Sequence, residues 1–430
     1  MKKTKKIICL LLSLILILGL LLVPANAQGE TVRNIDKSKF KTDYPYIFVH
    51  GMGGWAPTNS FYKLSPYWGG GLSLSDTDLI SILNEQGVKA YAPAVGPLSS
   101  AWDRACELYA QLVGGTVDYG EAHSKAHGHD RYGFTYEPIM GESWNLSDKL
   151  NLVGHSFGGA TVRLFTSLLA YGSEDEVSAT GKDTSELFKG GHDGAIHSCI
   201  TLSAPHNGTQ VANMLYDITG PLYVVVMLYN IIGATLGNDF LVFSLQMGHF
   251  GLTPKQGEKR TNFNIHKVQN YYNSEDTCYY DMTFRGAKEL NSTIKLAKNT
   301  YYYSYSTIAT ESGKNGKQQI VDTVTPIFYI SSAMMTMAEG KTYDGVKIEG
   351  EWAVHDGIVP LKSAKYPLCD EQTALNYEAT LDEGKTVESG RWYYMNPLVG
   401  TDHFDFCGTE DYPTSFEDFY FSMIEKANMR

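Results

Sequence analysis

Residues 149–170 constrain this chain more than any other stretch. Leu150-Asn-Leu-Val153 is a short run rich in strand formers that leads straight into Gly154-His155-Ser156-Phe157-Gly158, a Gly-x-Ser-x-Gly pattern. Apolar residues at helical spacing follow, from Ala160 to Ala170. A strand that turns into a helix within that pentapeptide is what a nucleophile elbow requires. The glycines let backbone crowd the turn, and the serine hydroxyl is thrown clear at the strand end. The N–H groups that follow point at the spot where an oxyanion would form. The pentapeptide alone is a weak signal, because ordinary tight turns also use glycine and serine. Bracketed by strand and helix, it makes Ser156 the candidate nucleophile.

The first six residues are basic, an apolar stretch runs from Ile7 to Val23, and Pro24-Ala-Asn-Ala27 ends it in the small-x-small pattern of a cleavage site. A retained membrane anchor is the other reading of an apolar run near spanning length. The Ala-Asn-Ala ending favours a signal peptide at residues 1–27 and a mature chain starting near Gln28. No later segment has eighteen unbroken apolar residues, so no other span is expected. A secreted monomer without a stable transmembrane anchor is the expectation. Four lysines leave with the leader, which takes the net charge from −12 to −16. An acidic surface of that kind argues against nucleic acid as a partner. The six cysteines are Cys9, Cys106, Cys199, Cys278, Cys369 and Cys407. Cys9 leaves with the leader and the rest are widely spaced, so no disulfide scaffold is expected, although one or two bridges stay open.

Roughly 400 residues remain, enough for one large α/β domain with insertions or two smaller domains. Strands are predicted from Tyr44 to His50, Lys89 to Val95, Ile200 to Ala204 and Tyr301 to Ser306, besides the elbow strand. Helices are predicted from Asp78 to Gln86, Trp102 to Val113, and Phe416 to Ala427, besides the elbow helix. Strands alternating with helices imply a mostly parallel central sheet with helices on both faces. Between Val211 and Leu252 the pattern breaks into apolar runs at Pro221 to Gly233 and Phe240 to Leu245. These read equally well as a buried helical pair or as a mobile lid that covers the serine in water and opens onto lipid.

Acyl transfer by serine needs a base to take its proton and an acid to orient that base. In the chain order Ser, acid, His, the informative histidines are His355 and His403. His403 lies in a polar loop just before the last helix, and His355 is its rival beside an acid. Asp356, in a turn before Ile358-Val359, is the leading acid, with a plain turn role as the bland alternative. Asp402 adjoins His403 and diverges from it, which makes it a poor orienter. The oxyanion donors would be the backbone N–H groups of Phe157 and of Met52, in the loop after the first strand.

A second cluster gathers Asp103, His123, His127 and His129. His123 and His127 have the spacing of a metalloprotease helix, but Ser124 stands where His-Glu-x-x-His needs its glutamate. A hydrolytic zinc is therefore disfavoured, and a zinc-dependent, peptidase-like hydrolase with a structural serine is the alternative function. Two imidazoles with two carboxylates would make a closed, structural zinc site. A solvated histidine-rich loop is an equal reading.

The run Val95-Gly-Pro-Leu-Ser-Ser-Ala-Trp-Asp-Arg-Ala-Cys-Glu-Leu-Tyr-Ala-Gln-Leu-Val-Gly-Gly-Thr-Val-Asp-Tyr-Gly120, continued through His129, resembles the zinc-containing secreted lipases of Gram-positive bacteria. That group includes thermophilic Bacillus and Geobacillus lipases and staphylococcal lipases. The similarity extends from Tyr46 to the C-terminal helix. It implies one α/β-hydrolase domain over residues 28–430, with a zinc-region insertion at about residues 98–135 and a lid at about residues 212–252. It also implies Ser156 as nucleophile, Asp356 as orienting acid and His403 as base. Structural Zn2+ would be held by Asp103, His123, His129 and Asp276, with His127 not a ligand. Ca2+ near the catalytic histidine would use Asp405 and Glu410, but Glu410-Asp411 departs from the Asp-Pro or Asp-Ala of relatives. The elbow departs too, with Gly154 and Phe157 where thermophilic relatives carry Ala and Gln; the Phe157 backbone donor is kept. Staphylococcal members carry a long pro-region that has no counterpart here. The implied activity is lid-gated hydrolysis of triacylglycerols and other water-insoluble carboxylic esters, a setting in which polyesters would also fit.

Overall fold

A computed structural model describes residues 44–71, 75–216, 245–262, 264–314, 316–408 and 415–428. The expected signal peptide, residues 217–244 of the expected lid, and Glu410 lie outside the described residues.

Seven strands form one sheet: β1 Tyr46–Val49, β2 Ala90–Tyr91, β3 Leu150–His155, β4 Ile196–Leu202, β5 Tyr301–Tyr305, β6 Leu375–Asn376 and β7 Trp392–Tyr394. Their order is β6-β7-β5-β4-β3-β1-β2, and every neighbouring pair is parallel. The strands β1 and β3 are buried along their whole length. Burial on both faces is why they read as near-continuous apolar runs rather than alternating ones. Alternation decides which side each residue packs on. Ile47, Val49, Leu150 and Leu152 enter one core cluster, whereas Tyr46, Phe48 and Val153 enter the other. On the first face lie α2 Ala101–Val113 and α4 Gly158–Tyr171, through Leu108, Leu112, Val162 and Phe165. On the second lie α1 Leu79–Glu85 and α5 Phe416–Asn428, through Leu79, Leu83, Tyr420 and Ile424. The expected parallel sheet between two helical layers is what forms.

Parallel pairing has a positional consequence. Val49 pairs with Gly154, His155 with Leu202, and Leu202 with Tyr305. The loops after β1, β3, β4 and β5 therefore leave from one edge of the sheet, where open α/β folds place their sites.

One expectation fails locally. The strand predicted from Lys89 to Val95 pairs only at Ala90–Tyr91. Pro93 has no N–H to give a ladder, and the Gln111 amide takes over both backbone groups of Ala94, at 2.9 and 2.8 Å. No disulfide joins the described cysteines: Cys106, Cys199, Cys278 and Cys407 are buried and free, and Cys369 is exposed and free.

Candidate active site and metal centre

Ser156 sits between β3 and α4 with φ 55°, left-handed for a residue that has a Cβ. Such a conformation costs of order 1–3 kcal/mol unless its surroundings enforce it. Here the Ser156 N–H donates to the Leu202 carbonyl at 2.8 Å, and its carbonyl accepts from Gly159 N–H at 2.9 Å. Close packing supplies the rest: a Cβ on Gly158 would collide with the Val49 carbonyl, and one on Gly51 would come within 2.7 Å of Ser156 Cβ. The loop after β1 thus lies directly against the serine.

His403 and Asp356 come together across 47 residues of sequence. His403 Nδ1 is 2.8 Å from Asp356 Oδ2, and the His403 N–H donates to the Asp356 carbonyl at 2.9 Å. Both side chains are almost fully buried. Burial works against the Asp356 charge. The facing imidazole and the N–H groups of Val359 and Ile358, at 2.7 and 3.0 Å, outweigh it and hold the carboxyl below its ordinary range. The turn role expected of Asp356 and its pairing with His403 are therefore one arrangement, since one oxygen caps the turn while the other faces the ring. His355, the rival, is spent locally: its Nδ1 accepts from Gly357 N–H at 3.1 Å. Asp402 is spent elsewhere, accepting from the N–H groups of Thr325 and Phe404 at 2.6 and 2.8 Å.

His155 joins the serine to this pair. Its Nε2 lies 2.9 Å from the His403 carbonyl, which can only accept, so Nε2 carries the proton. Nδ1 is then left to accept from the Tyr67 hydroxyl at 2.6 Å, and that hydroxyl accepts from Gly51 N–H at 2.9 Å. The His155 and His403 rings are 4.8 Å apart. Burial, with His403 nearby, drives the His155 pKa down to about 3, so the ring stays neutral. Met52 is part-exposed beside this network, while Phe157 is fully buried.

The second cluster forms on α2, on α3 Glu121–His127 and on the loop before Thr277. His123 Nε2 lies 3.2 Å from Asp103 Oδ1 and 3.3 Å from Asp276 Oδ1; His129 Nε2 lies 3.2 Å from Asp276 Oδ2. One ligand atom from each of Asp103, His123, His129 and Asp276 falls within 4.8 Å of the others. Asp103 Oδ1, His123 Nε2, His129 Nε2 and both Asp276 oxygens are buried without a hydrogen-bond partner. Five converging orphan atoms are costly unless an ion takes them, so this donor set fits a metal. Its supports are also in place. His129 Nδ1 is 2.9 Å from the Asp130 carbonyl, and His249 Nε2 is 2.9 Å from Asp103 Oδ2. Each of these contacts turns a ligand atom toward the centre. Trp102 stacks on the His123 ring at 5.0 Å. His127 lies beside His123 but outside the cluster.

A family model described as the lipase-like C-terminal domain matches residues 42–426. The chain belongs to that family. The lipase of Staphylococcus hyicus is 33% identical over 418 residues, covering 93% of this chain and 60% of that protein. Lipase 1 of Staphylococcus aureus (strain MRSA252) is 32% identical, covering 91% of this chain and 54% of the relative. The chain thus spans little more than half the length of these relatives. Among solved structures, EstA from Clostridium botulinum superposes with a TM-score of 0.74 at 30% identity, covering 96% of each chain. The Staphylococcus hyicus lipase crystal structure gives 0.75 at 30% identity, covering 93% of this chain and 100% of the other.

Within this lipase-like domain, Asp405 is the one expected calcium residue that the structure describes. It is buried, and its Oδ2 accepts from Asp402 N–H at 2.6 Å. Two contributors escaped sequence reasoning. His249 touches Asp103 from 146 residues away, and no local motif marks it. Tyr67 carries no signal at all, whereas His155 was visible inside the elbow pattern without its role. Among the described residues no helix is long and apolar enough to cross a membrane.

Proposed function

We propose that this protein is a carboxylic ester hydrolase of the lipase type, acting on triacylglycerols and other water-insoluble esters, polyesters among them. The reading is carried by the His403–Asp356 pair, whose His403 carbonyl is held by His155, the residue preceding Ser156. Ser156 Oγ attacks the ester carbonyl carbon while His403 Nε2 takes its proton, and Asp356 steadies the imidazolium that results. The oxyanion accepts from the N–H groups of Met52 and Phe157. On collapse of the tetrahedral species the C–O bond breaks, and His403 passes the proton to the leaving alcohol, leaving an acyl-Ser156. Water, deprotonated by His403, attacks that ester, and the acid departs as Ser156 regains its proton.

The segment at about residues 212–252 would act as the lid, which makes activity rise at an interface, and the leader at residues 1–27 would direct secretion. Asp103, His123, His129 and Asp276 would hold structural Zn2+. His123 Nε2 and His129 Nε2 stand 3.2–3.9 Å from carboxylate oxygens of Asp103 and Asp276, so one ion could take a donor from each of the four. When bound, the ion supplies charge neutralisation and a cross-link, and no step of the ester chemistry passes through it. Ser124 stands where a hydrolytic zinc helix would need its glutamate base, which speaks for a structural role. Calcium at Asp405 and Glu410 has only the resemblance behind it.

Ser156→Ala should lower kcat on a chromogenic acyl ester on the order of 10⁴-fold or more, with metal content by elemental analysis unchanged. Retained turnover would remove the serine mechanism. Inhibition by a chelator but not by a serine-directed phosphonate would favour the zinc-hydrolase alternative.

A further inference from the structure

Arg104 is fully buried, yet no ion pair joins it to a carboxylate among the described residues. A guanidinium in that position is tolerated only if its N–H groups are spent well. Nη2 donates to the His50 carbonyl, Nη1 to the carbonyls of Gly51 and Gly96 at 3.3 and 3.2 Å, and Nε to Thr161 Oγ1 at 2.9 Å. Its Cζ lies 5.2 Å from the centroid of the Phe157 ring. Thr161 Oγ1 in turn contacts the Phe157 carbonyl at 3.4 Å. One side chain therefore grips both segments that carry the proposed oxyanion donors.

Geometry makes the grip directional. The Gly51 carbonyl and the Met52 N–H belong to one planar, trans peptide unit, so fixing where the carbonyl points fixes the N–H on the opposite side. A cation on that carbonyl also polarises the amide and strengthens its N–H as a donor. On the Phe157 side the guanidinium packs against the ring, while the Ser156–Phe157 peptide is held by Gly159 N–H at 2.9 Å.

We propose that Arg104, sharing the Gly51 carbonyl with His50 Nδ1 at 2.9 Å and Gly54 N–H at 3.2 Å, is a positioning residue of the oxyanion hole, orienting and polarising the Met52 N–H and fixing it relative to that of Phe157. The inference rests on Ser156 being the nucleophile. Inactivation of the parent protein by a serine-directed phosphonate checks that reading separately, before any Arg104 variant is made.

The test compares Arg104→Lys and Arg104→Met with the parent for kcat and KM on a soluble butyrate ester, and for inhibition by butylboronic acid. The boronate becomes a tetrahedral anion on the serine and so reports on oxyanion binding. Arg104→Met should lose on the order of 10²-fold in kcat, with KM within a few-fold and boronate affinity weakened in parallel. Arg104→Lys, which keeps the charge and part of the hydrogen bonding, should recover part of both losses. Where Arg104→Met does not fold, Arg104→Lys is read alone against the parent. Unchanged kcat in a folded variant would overturn the proposal. So would a fall in kcat without weaker boronate binding, because that pattern marks a merely structural role.

Discussion

At the scale of single residues, the site is set by how little room surrounds Ser156. Gly51 touches it so closely that a methyl group there must push the loop after β1 away from the elbow. Gly51→Ala should therefore lower kcat at least 10-fold, about 1.4 kcal/mol of transition-state stabilisation. The loop has little bulk to lose, so thermal stability should change much less; steady-state kinetics beside a melting curve separates the two. Asp356→Asn tests the neighbouring pair. It keeps the turn cap but cannot hold the imidazolium, so kcat should fall on the order of 10⁴-fold with the fold intact by circular dichroism. Full activity in that variant would move the orienting role elsewhere. Ser156, Asp356 and His403 were legible because chain order and local motifs point at them. Arg104 was not, because its partners at His50, Gly96 and Thr161 meet it only once β1 and α4 have packed.

At the scale of elements, an ion held by Asp103, His123, His129 and Asp276 would cross-link α2, the α3 segment and the loop before Thr277. Exhaustive chelation should lower the melting temperature by several degrees, since loss of a bound ion removes its full linkage free energy. Asp276→Asn should reduce retained metal to well below one ion per chain, and a variant that keeps a full ion would remove Asp276 from the site. His249→Ala leaves every proposed ligand in the sequence and removes the partner of Asp103 Oδ2 together with the ring packed on Tyr119 and His129. Metal affinity should weaken about 10–100-fold, measured by competition with a chromophoric chelator. The short strands at and beside the sheet edges were the poorly legible elements. β6 and β7 are two and three residues long, too short for any alternation to emerge, and β2 loses its remaining ladder to Gln111.

For the whole molecule, stability toward acid follows from what is buried. His50 and His155 are driven down to about 3, His355 to about 4, and His206 well below the usual imidazole range, chiefly by burial. Each binds a proton below pH 6.5 only when unfolded, so acidification destabilises the fold. Glu107 and Asp281, pushed up to about 8 by burial, hold protons only in the folded state between pH 4.5 and 8 and act in the opposite sense. Each such imidazole costs up to about 1.4 kcal/mol per pH unit over this range, so the four together outweigh these two carboxyls from pH 6 to 5. Urea midpoints that stay flat over that interval would contradict this balance. The layered architecture was legible because apolar runs and helical spacing report burial directly. These buried charges were not, since burial of a polar residue is a product of the assembled fold. Asp103 and Arg104 stand side by side on α2, one facing the proposed ion and the other gripping the strand-end carbonyls. A slackened tether at the first would be felt as play at the second, so stripping the ion should slow even soluble esters at temperatures where the protein remains folded.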